Sequence, residues 1–156
     1  MKKNGFTLIE LLVAVSIGMI LTVGGLAAYR GFGEKQSLIK AGLKLETDLR
    51  LAQKKAFSGE KPTIDECGIT ERLNGFWLKR ESDTSYKLEV DCSGGLAVIG
   101  NVITLPEDIV FSTGDFEIFF PVLKSAVTPI TIILRFDTFS YEVVVEDSGV
   151  IRGGLL

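Results

Sequence analysis

The sequence predicts an α+β fold in which a long N-terminal helix, transmembrane in its first half and amphipathic in its second, packs against a small antiparallel β-sheet head. Three observations lead there. Residues 11–29 carry no charge, although the chain has 17 basic and 20 acidic residues. Leu38, Ala41, Leu45, Leu49, Ala52 and Ala56 then recur every three or four positions, the spacing of one helical face. Beyond Gly59 the apolar spacing changes to every second residue, the period of a half-buried strand.

The first element opens Met1-Lys2-Lys3-Asn4-Gly5-Phe6-Thr7-Leu8-Ile9-Glu10 and continues as LLVAVSIGMILTVGGLAAY. An uncharged run of this length behind two lysines is expected to enter or cross a bilayer, with the lysines holding its start in the cytoplasm. Read from residues alone, it fits a secretory signal cut after Ala27, where Gly25-Leu26-Ala27 offers small residues, or a retained anchor. Glu10 favours the anchor. A carboxylate costs roughly 2.5 to 3.5 kcal/mol at a membrane centre and less near its surface, so it needs a partner, and a disposable signal has no use for it. Gly18, Gly24 and Gly25 lower helicity by about 1 kcal/mol each relative to alanine, and small residues in hydrocarbon serve close helix packing.

The second element is the amphipathic stem, expected to continue the helix from Phe6 as far as Ser58. Lys40, Lys44, Asp48, Lys54 and Lys55 fall largely off its apolar face, and Ser58-Gly59 followed by Pro62 supplies the stop. The third element is the head. Tyr86, Leu88 and Val90 alternate with Lys87, Glu89 and Asp91; Ile130, Ile132, Leu134 and Phe136 form a second such row, and Tyr141, Val143 and Val145 a third. The last two rows read as antiparallel strands joined near Asp137 to Ser140. Shorter strands are expected at 76–79, 96–99, 109–112 and 116–120. Together they would form one sheet across the stem stripe.

Cys67 and Cys92 are the two cysteines. In an exported head they read most simply as a disulfide, with free thiols as the alternative. The chain has no histidine, which removes histidine-based nucleophile activation, and no other nucleophile with a base can be named. No enzymatic activity, cofactor or metal is expected. Asp108, Asp115, Glu117, Glu146 and Asp147 are possible calcium ligands but lack a twelve-residue loop pattern and read as solvated strand faces and turns. From Leu11 to Ser58 there are seven basic and three acidic residues, net +4; from Gly59 onward there are eight basic and sixteen acidic, net −8. An acidic head is a poor ligand for nucleic acid phosphates.

The opening KKNGFTLIELLVAV closely resembles the class III leader and first turns of type IV prepilins and type II secretion pseudopilins. The resemblance implies cleavage between Gly5 and Phe6 by a membrane prepilin peptidase, N-methylation of the Phe6 amine, and subunit assembly through Phe6 and Glu10, whose carboxylate would pair with the amine of a neighbouring subunit. It further implies a leader at 1–5, a transmembrane and filament-core helix at 6–29, a stem helix at 30–58 and a head at 59–156. The implied partners are the peptidase, other pilin or pseudopilin subunits, an inner-membrane assembly platform and membrane lipid. The protein would be a single-pass inner-membrane protein with its head outside the cytoplasm, then part of a pilus or a periplasmic pseudopilus. Many pilins carry proline where this chain has Ala27, so local melting of the helix on assembly has no marked position here.

The stretch LPEDIVFSTGDFEIFF and the terminal SGVIR loosely resemble H-type minor pseudopilins and related minor pilins, a DNA-uptake subgroup among them. The DNA-binding relatives carry a glycine and two arginines here; Gly149-Val150-Ile151-Arg152 keeps the glycine and one arginine. The sequence thus reads as a non-enzymatic minor pilin or minor pseudopilin, with a major pilin or a DNA-binding minor pilin as alternatives, and DNA as an unfavoured partner.

Overall fold

The computed structural model describes the backbone of residues 7–156 and the side chains of that range apart from 23–31. The chain divides into two compact units, Met1–Gln36 and Ser37–Leu156. Helix α1 (Leu8–Ser58) contributes to both. A short 3-10 turn at Asp65–Cys67 precedes nine strands: β1 (Leu73–Ser82), β2 (Ser85–Cys92), β3 (Gly95–Val98), β4 (Ile103–Thr104), β5 (Val110–Phe111), β6 (Glu117–Pro121), β7 (Ile130–Phe136), β8 (Phe139–Val145) and β9 (Ile151–Leu155).

In the first unit, α1 is apolar on every described side. Leu8, Ile9, Leu12, Val13, Ile17, Met19, Ile20 and Leu21 are all exposed. A helix of this kind needs cover from outside itself. Its polar side chains are satisfied locally, the Ser16 hydroxyl donating to the Leu12 carbonyl at 2.8 Å and the Thr22 hydroxyl to the Gly18 carbonyl at 2.7 Å. Among the described residues no helix is long and apolar enough to cross a membrane. The span expected over 11–29 runs into residues 23–31, whose side chains lie outside the described set. Gly5 and Phe6, the expected cleavage junction, lie outside it as well. Helix α1 begins at Leu8, with Thr7 before its first turn, and the expected start at Phe6 lies outside the described residues.

In the second unit, Leu38, Leu45, Leu49, Ala52 and Ala56 are fully buried and Ala41 nearly so. The stem ends as the Ser58-Gly59 stop requires. Gly59 takes φ +64°, its N–H donates to the Ala56 carbonyl at 3.1 Å, and the Glu60 N–H donates to the Lys55 carbonyl at 3.0 Å. This left-handed closure satisfies the last carbonyls at a conformation that glycine adopts without strain.

The head holds two antiparallel sheets where one was expected. The first has the order β3-β2-β1-β6, with β4 also paired to β2; the second has the order β5-β7-β8-β9. Register follows the apolar rows. Phe76 and Leu78 stand opposite Val90 and Leu88 on one side and Phe120 and Ile118 on the other. Ile132 and Leu134 face Val143 and Tyr141. All of these are buried and join the stem stripe in one cluster. The β7–β8 hairpin closes over Asp137-Thr138, one pair tighter than expected, since Phe136 and Phe139 already pair. β4 and β9 had no strong alternating signal. The first is two residues long, and the second contains Gly153 and Gly154, which have no side chain to show a period.

Two acidic residues depart from the expected surface placement. Asp48 and Glu89 are 6% and 8% exposed, and both are held by cations. Lys79 and Lys87 reach Glu89 at 3.1 and 3.3 Å. Burial pushes its carboxyl up, but the two ammonium groups together hold it below the usual carboxylate range.

Candidate functional site

The N-terminal motif is placed by a helix cap. The Thr7 carbonyl accepts from the Leu11 N–H at 3.2 Å, and the Thr7 hydroxyl oxygen accepts from the Glu10 N–H at 3.3 Å. Both bonds belong to an N-cap residue, whose side chain satisfies one of the donors that a helix start leaves free. Glu10 is thereby the third helical residue, exposed in the first turn beside Leu8, Ile9 and Leu11. A carboxylate is favoured there by the partial positive charge of the helix start. Thr7 escaped the sequence reading, although Thr7-Leu8-Ile9-Glu10 has the Thr-x-x-Glu spacing of a capping box.

At the stem and head junction two tyrosines donate to two buried helix carboxylates. From the first sheet, the Tyr86 hydroxyl donates to Asp48 at 2.6 Å. From the second sheet, the Tyr141 hydroxyl donates to Glu46 at 2.7 Å. Each carboxylate also has a cation one turn away, Lys44 for Asp48 at 2.6 Å and Arg50 for Glu46 at 2.7 Å. Burial, then the hydrogen bond to the carboxylate, raises the pKa of both phenols; Tyr141 is pushed up to about 12 and Tyr86 is also raised well above its ordinary value. The Arg50 guanidinium further donates to the Ile151 carbonyl at 2.9 Å, and the Gln53 amide to the Gly149 carbonyl at 2.6 Å. These contacts orient the last strand along the stem. A buried ion bonded on both oxygens is a structural fastening, and no free base or nucleophile arises from it.

Cys67 and Cys92 are bonded to each other, with their α-carbons 5.4 Å apart. The bond ties the 3-10 turn to the end of β2. Beside it the Lys61 ammonium donates to the carbonyls of Gly68, Ile69 and Glu71.

The possible calcium ligands are scattered. Asp115 lies 3.9 Å from Arg80 and Glu117 3.9 Å from Lys79, Glu146 pairs with Arg152, and Asp147 accepts from the Ser148 N–H at 2.8 Å. Among the described residues no three His, Cys, Asp or Glu side chains are grouped so that they could hold a metal ion. Arg152, the one arginine kept from the DNA-uptake pattern, is committed to that carboxylate.

Residues 1–26 match the family model described as the prokaryotic N-terminal methylation motif. No curated protein and no solved structure matches the chain. The match covers the lysine-bearing start, Gly5, Phe6, the Thr7 cap, Glu10 and most of the uncharged helix. The chain thus carries a prepilin-like N-terminal methylation motif over its first 26 residues, similar to that of type IV pilins and pseudopilins.

Proposed function

We propose that the protein is a minor pilin or minor pseudopilin, processed between Gly5 and Phe6 by a prepilin peptidase, methylated on the Phe6 amine and assembled into a type IV pilus or type II secretion pseudopilus. The observation that carries the reading is the methylation motif running directly into a helix apolar on every described side, with Glu10 as its single charge before Arg30. Such a helix is accommodated by lipid before assembly and by other subunits' helices afterwards. Residues 11–29 form the membrane anchor in this reading, and the head lies outside the cytoplasm.

Glu10 then has a role that neither folding nor catalysis supplies. Hydrolysis of the Gly5–Phe6 bond creates an ammonium at Phe6, and an ammonium sits poorly at the positive start of its own helix. The Glu10 carboxylate of a neighbouring subunit pairs with it and sets the axial register between helices. A DNA-binding minor pilin is less favoured, because the head carries net −8 and Arg152 is paired with Glu146.

Intact mass of the membrane-derived protein tests the reading. The expected chain begins at Phe6 with one added methyl group. A chain beginning at Ala28 would mark a secretory signal and overturn it.

A further inference from the structure

Ile69 stands fully clear of the head surface, at the tip of a turn that is held in place from three sides. The Glu71 N–H donates to the Gly68 carbonyl at 3.0 Å, which closes the turn with Ile69 and Thr70 at its centre. The Lys61 ammonium bonds to the carbonyls of Gly68, Ile69 and Glu71, and the preceding Cys67 is tied to Cys92. Turn centres favour glycine, proline, asparagine, aspartate and serine, so the isoleucine meets no need of the turn itself. A lone exposed apolar residue is ordinary and by itself marks nothing. This one has a counterpart elsewhere on the head.

The counterpart is a cavity of about 220 Å³ between the stem and the β4 segment, walled by Ala41, Tyr86, Ile103, Leu105 and Pro106. The Tyr86 hydroxyl is already spent on Asp48, so what the cavity offers a guest is mainly apolar. An apolar cavity of about 150 Å³ is enough to hold benzene, and this one has room for the four-carbon side chain of isoleucine. Charge matches as well as shape. Lys40 and Lys44 line the cavity and are exposed, while the exposed Asp65 and Glu66 precede the Ile69 turn. None of the ion pairs among the described residues uses Lys40, Asp65 or Glu66.

The two features do not meet within one chain, since Ile69 is fully exposed. From Lys44 to the end of α1 at Ser58 the stem runs about 21 Å, and Lys61, which holds the turn, follows that end. We infer that Ile69 of one copy seats in the cavity of a second copy, with Asp65 and Glu66 of the first against Lys40 and Lys44 of the second. Opposite charges around a rigid apolar anchor steer the encounter and fix its register. The contact joins two different surfaces, so every copy keeps one anchor or one cavity open for a further copy, and the arrangement extends head to tail. This goes beyond the pilin-like reading by naming one contact between heads.

The test mixes full-length chains in detergent, unlabelled and heavy-isotope-labelled, and treats them with a carbodiimide, which joins a lysine amine to a carboxylate in contact with it. Peptides linking Lys40 or Lys44 of one isotope to Asp65 or Glu66 of the other are expected. Ile69→Asp should reduce their yield at least about tenfold, the loss of an interface anchor, and Ile69→Val should stay close to wild type. Lys40→Glu should reduce the remaining links from Lys44. Unchanged urea midpoints in all three variants would show that the head stays folded, as substitutions of exposed side chains require. Mixed-isotope links that avoid these four residues, the absence of any such link, or a wild-type yield in Ile69→Asp would each overturn the inference. Intact mass of the same samples reports leader cleavage separately, so the prepilin reading stands or falls on a different measurement.

Discussion

Gly42→Ala should destabilise the head although it replaces glycine inside a helix. On helix propensity alone the change gains about 1 kcal/mol. At this position, however, an added β-carbon would lie 2.3 Å from Cδ1, 2.4 Å from Cε1 and 2.7 Å from Cγ of Tyr141. The ring has no room to retreat, because Gly153 is close against its other neighbour: a β-carbon there would meet Glu46 Oε1 at 2.1 Å and Tyr141 Cε1 at 2.8 Å. Moving the ring strains a core in which Tyr141 is 4% exposed, at about 1 to 3 kcal/mol. It also pulls the hydroxyl from Glu46, leaving a buried acceptor short of a donor at about 1 to 3 kcal/mol more. After the helical gain, the net loss is about 3 kcal/mol. Urea unfolding of the full-length chain in detergent, followed by emission of Trp77, the one tryptophan, would read it. With a slope of about 2 kcal/mol per molar, the midpoint should fall by about 1.5 M. Gly33→Ala, where nothing lies within 4 Å, should not lower it. In a Tyr141→Leu background the cost of Gly42→Ala should shrink or reverse, since the clash is gone. A raised or unchanged midpoint for Gly42→Ala in the wild-type background would refute the close-packing argument.

Two further outcomes follow from the same junction and from the disulfide. Tyr141, pushed up to about 12 by burial and Glu46, is neutral in the folded head at pH values where the unfolded phenol, near 10, already ionises. Its contribution is therefore complete below about pH 10 and is lost as pH rises towards about 12, which the tyrosinate absorbance lost in Tyr141→Phe should trace; an ordinary midpoint near 10 would contradict the buried hydrogen bond. Reducing Cys67–Cys92, a bond across 25 positions, should cost about 3 to 4 kcal/mol on the chain-entropy account, read as a lower urea midpoint under reductant that the Cys67→Ala/Cys92→Ala chain reproduces without reductant. Equal midpoints with and without reductant would remove the bond from the head's stability.

The fold was legible wherever the signal is local and periodic. Leu38 through Ala56 repeat at helical spacing, and every member of that row is buried. The rows at β2, β7 and β8 alternate strictly enough to give their pairing faces. What stayed hidden lies in single residues whose role depends on contacts far along the chain. Asp48 reads as one more polar residue on a stem rich in lysine, yet Tyr86, 38 positions on, draws it into the core. Gly42 and Gly153 have no side chain to mark a role in the sequence; they are openings for one tyrosine ring and one carboxylate. The division into two sheets was missed for a related reason. β5 is two residues long and pairs with β7 through Val110↔Arg135 and Phe111↔Leu134, too short a row to show a period.

The same distinction separates the legible part of the function from the rest. The processing, methylation and Glu10 pairing we propose would draw on neighbours within ten residues, in the order Lys-Lys-Asn-Gly-Phe-Thr-Leu-Ile-Glu. Thr7 belongs to that local set as well, and only the hydrogen bond from the Glu10 N–H separates it from the apolar residues around it. The head offers no such run. Its half-buried residues come together from separate strands, as where Lys79 from β1 sits 4.7 Å from the Trp77 ring while Phe119 from β6 stacks at 4.5 Å on that ring. Its charges are largely spent on one another, Lys87 with Glu81 and Glu89, Arg80 with Asp83, Arg152 with Glu146. A surface whose cations are already paired presents no concentrated positive field to an anionic polymer, so in the proposed pilin-like reading contacts with other subunits would rest on shape and on apolar side chains such as Leu96 and Val98, which are exposed on β3. Those contacts form only when a second surface is present, and no pattern along one chain encodes them.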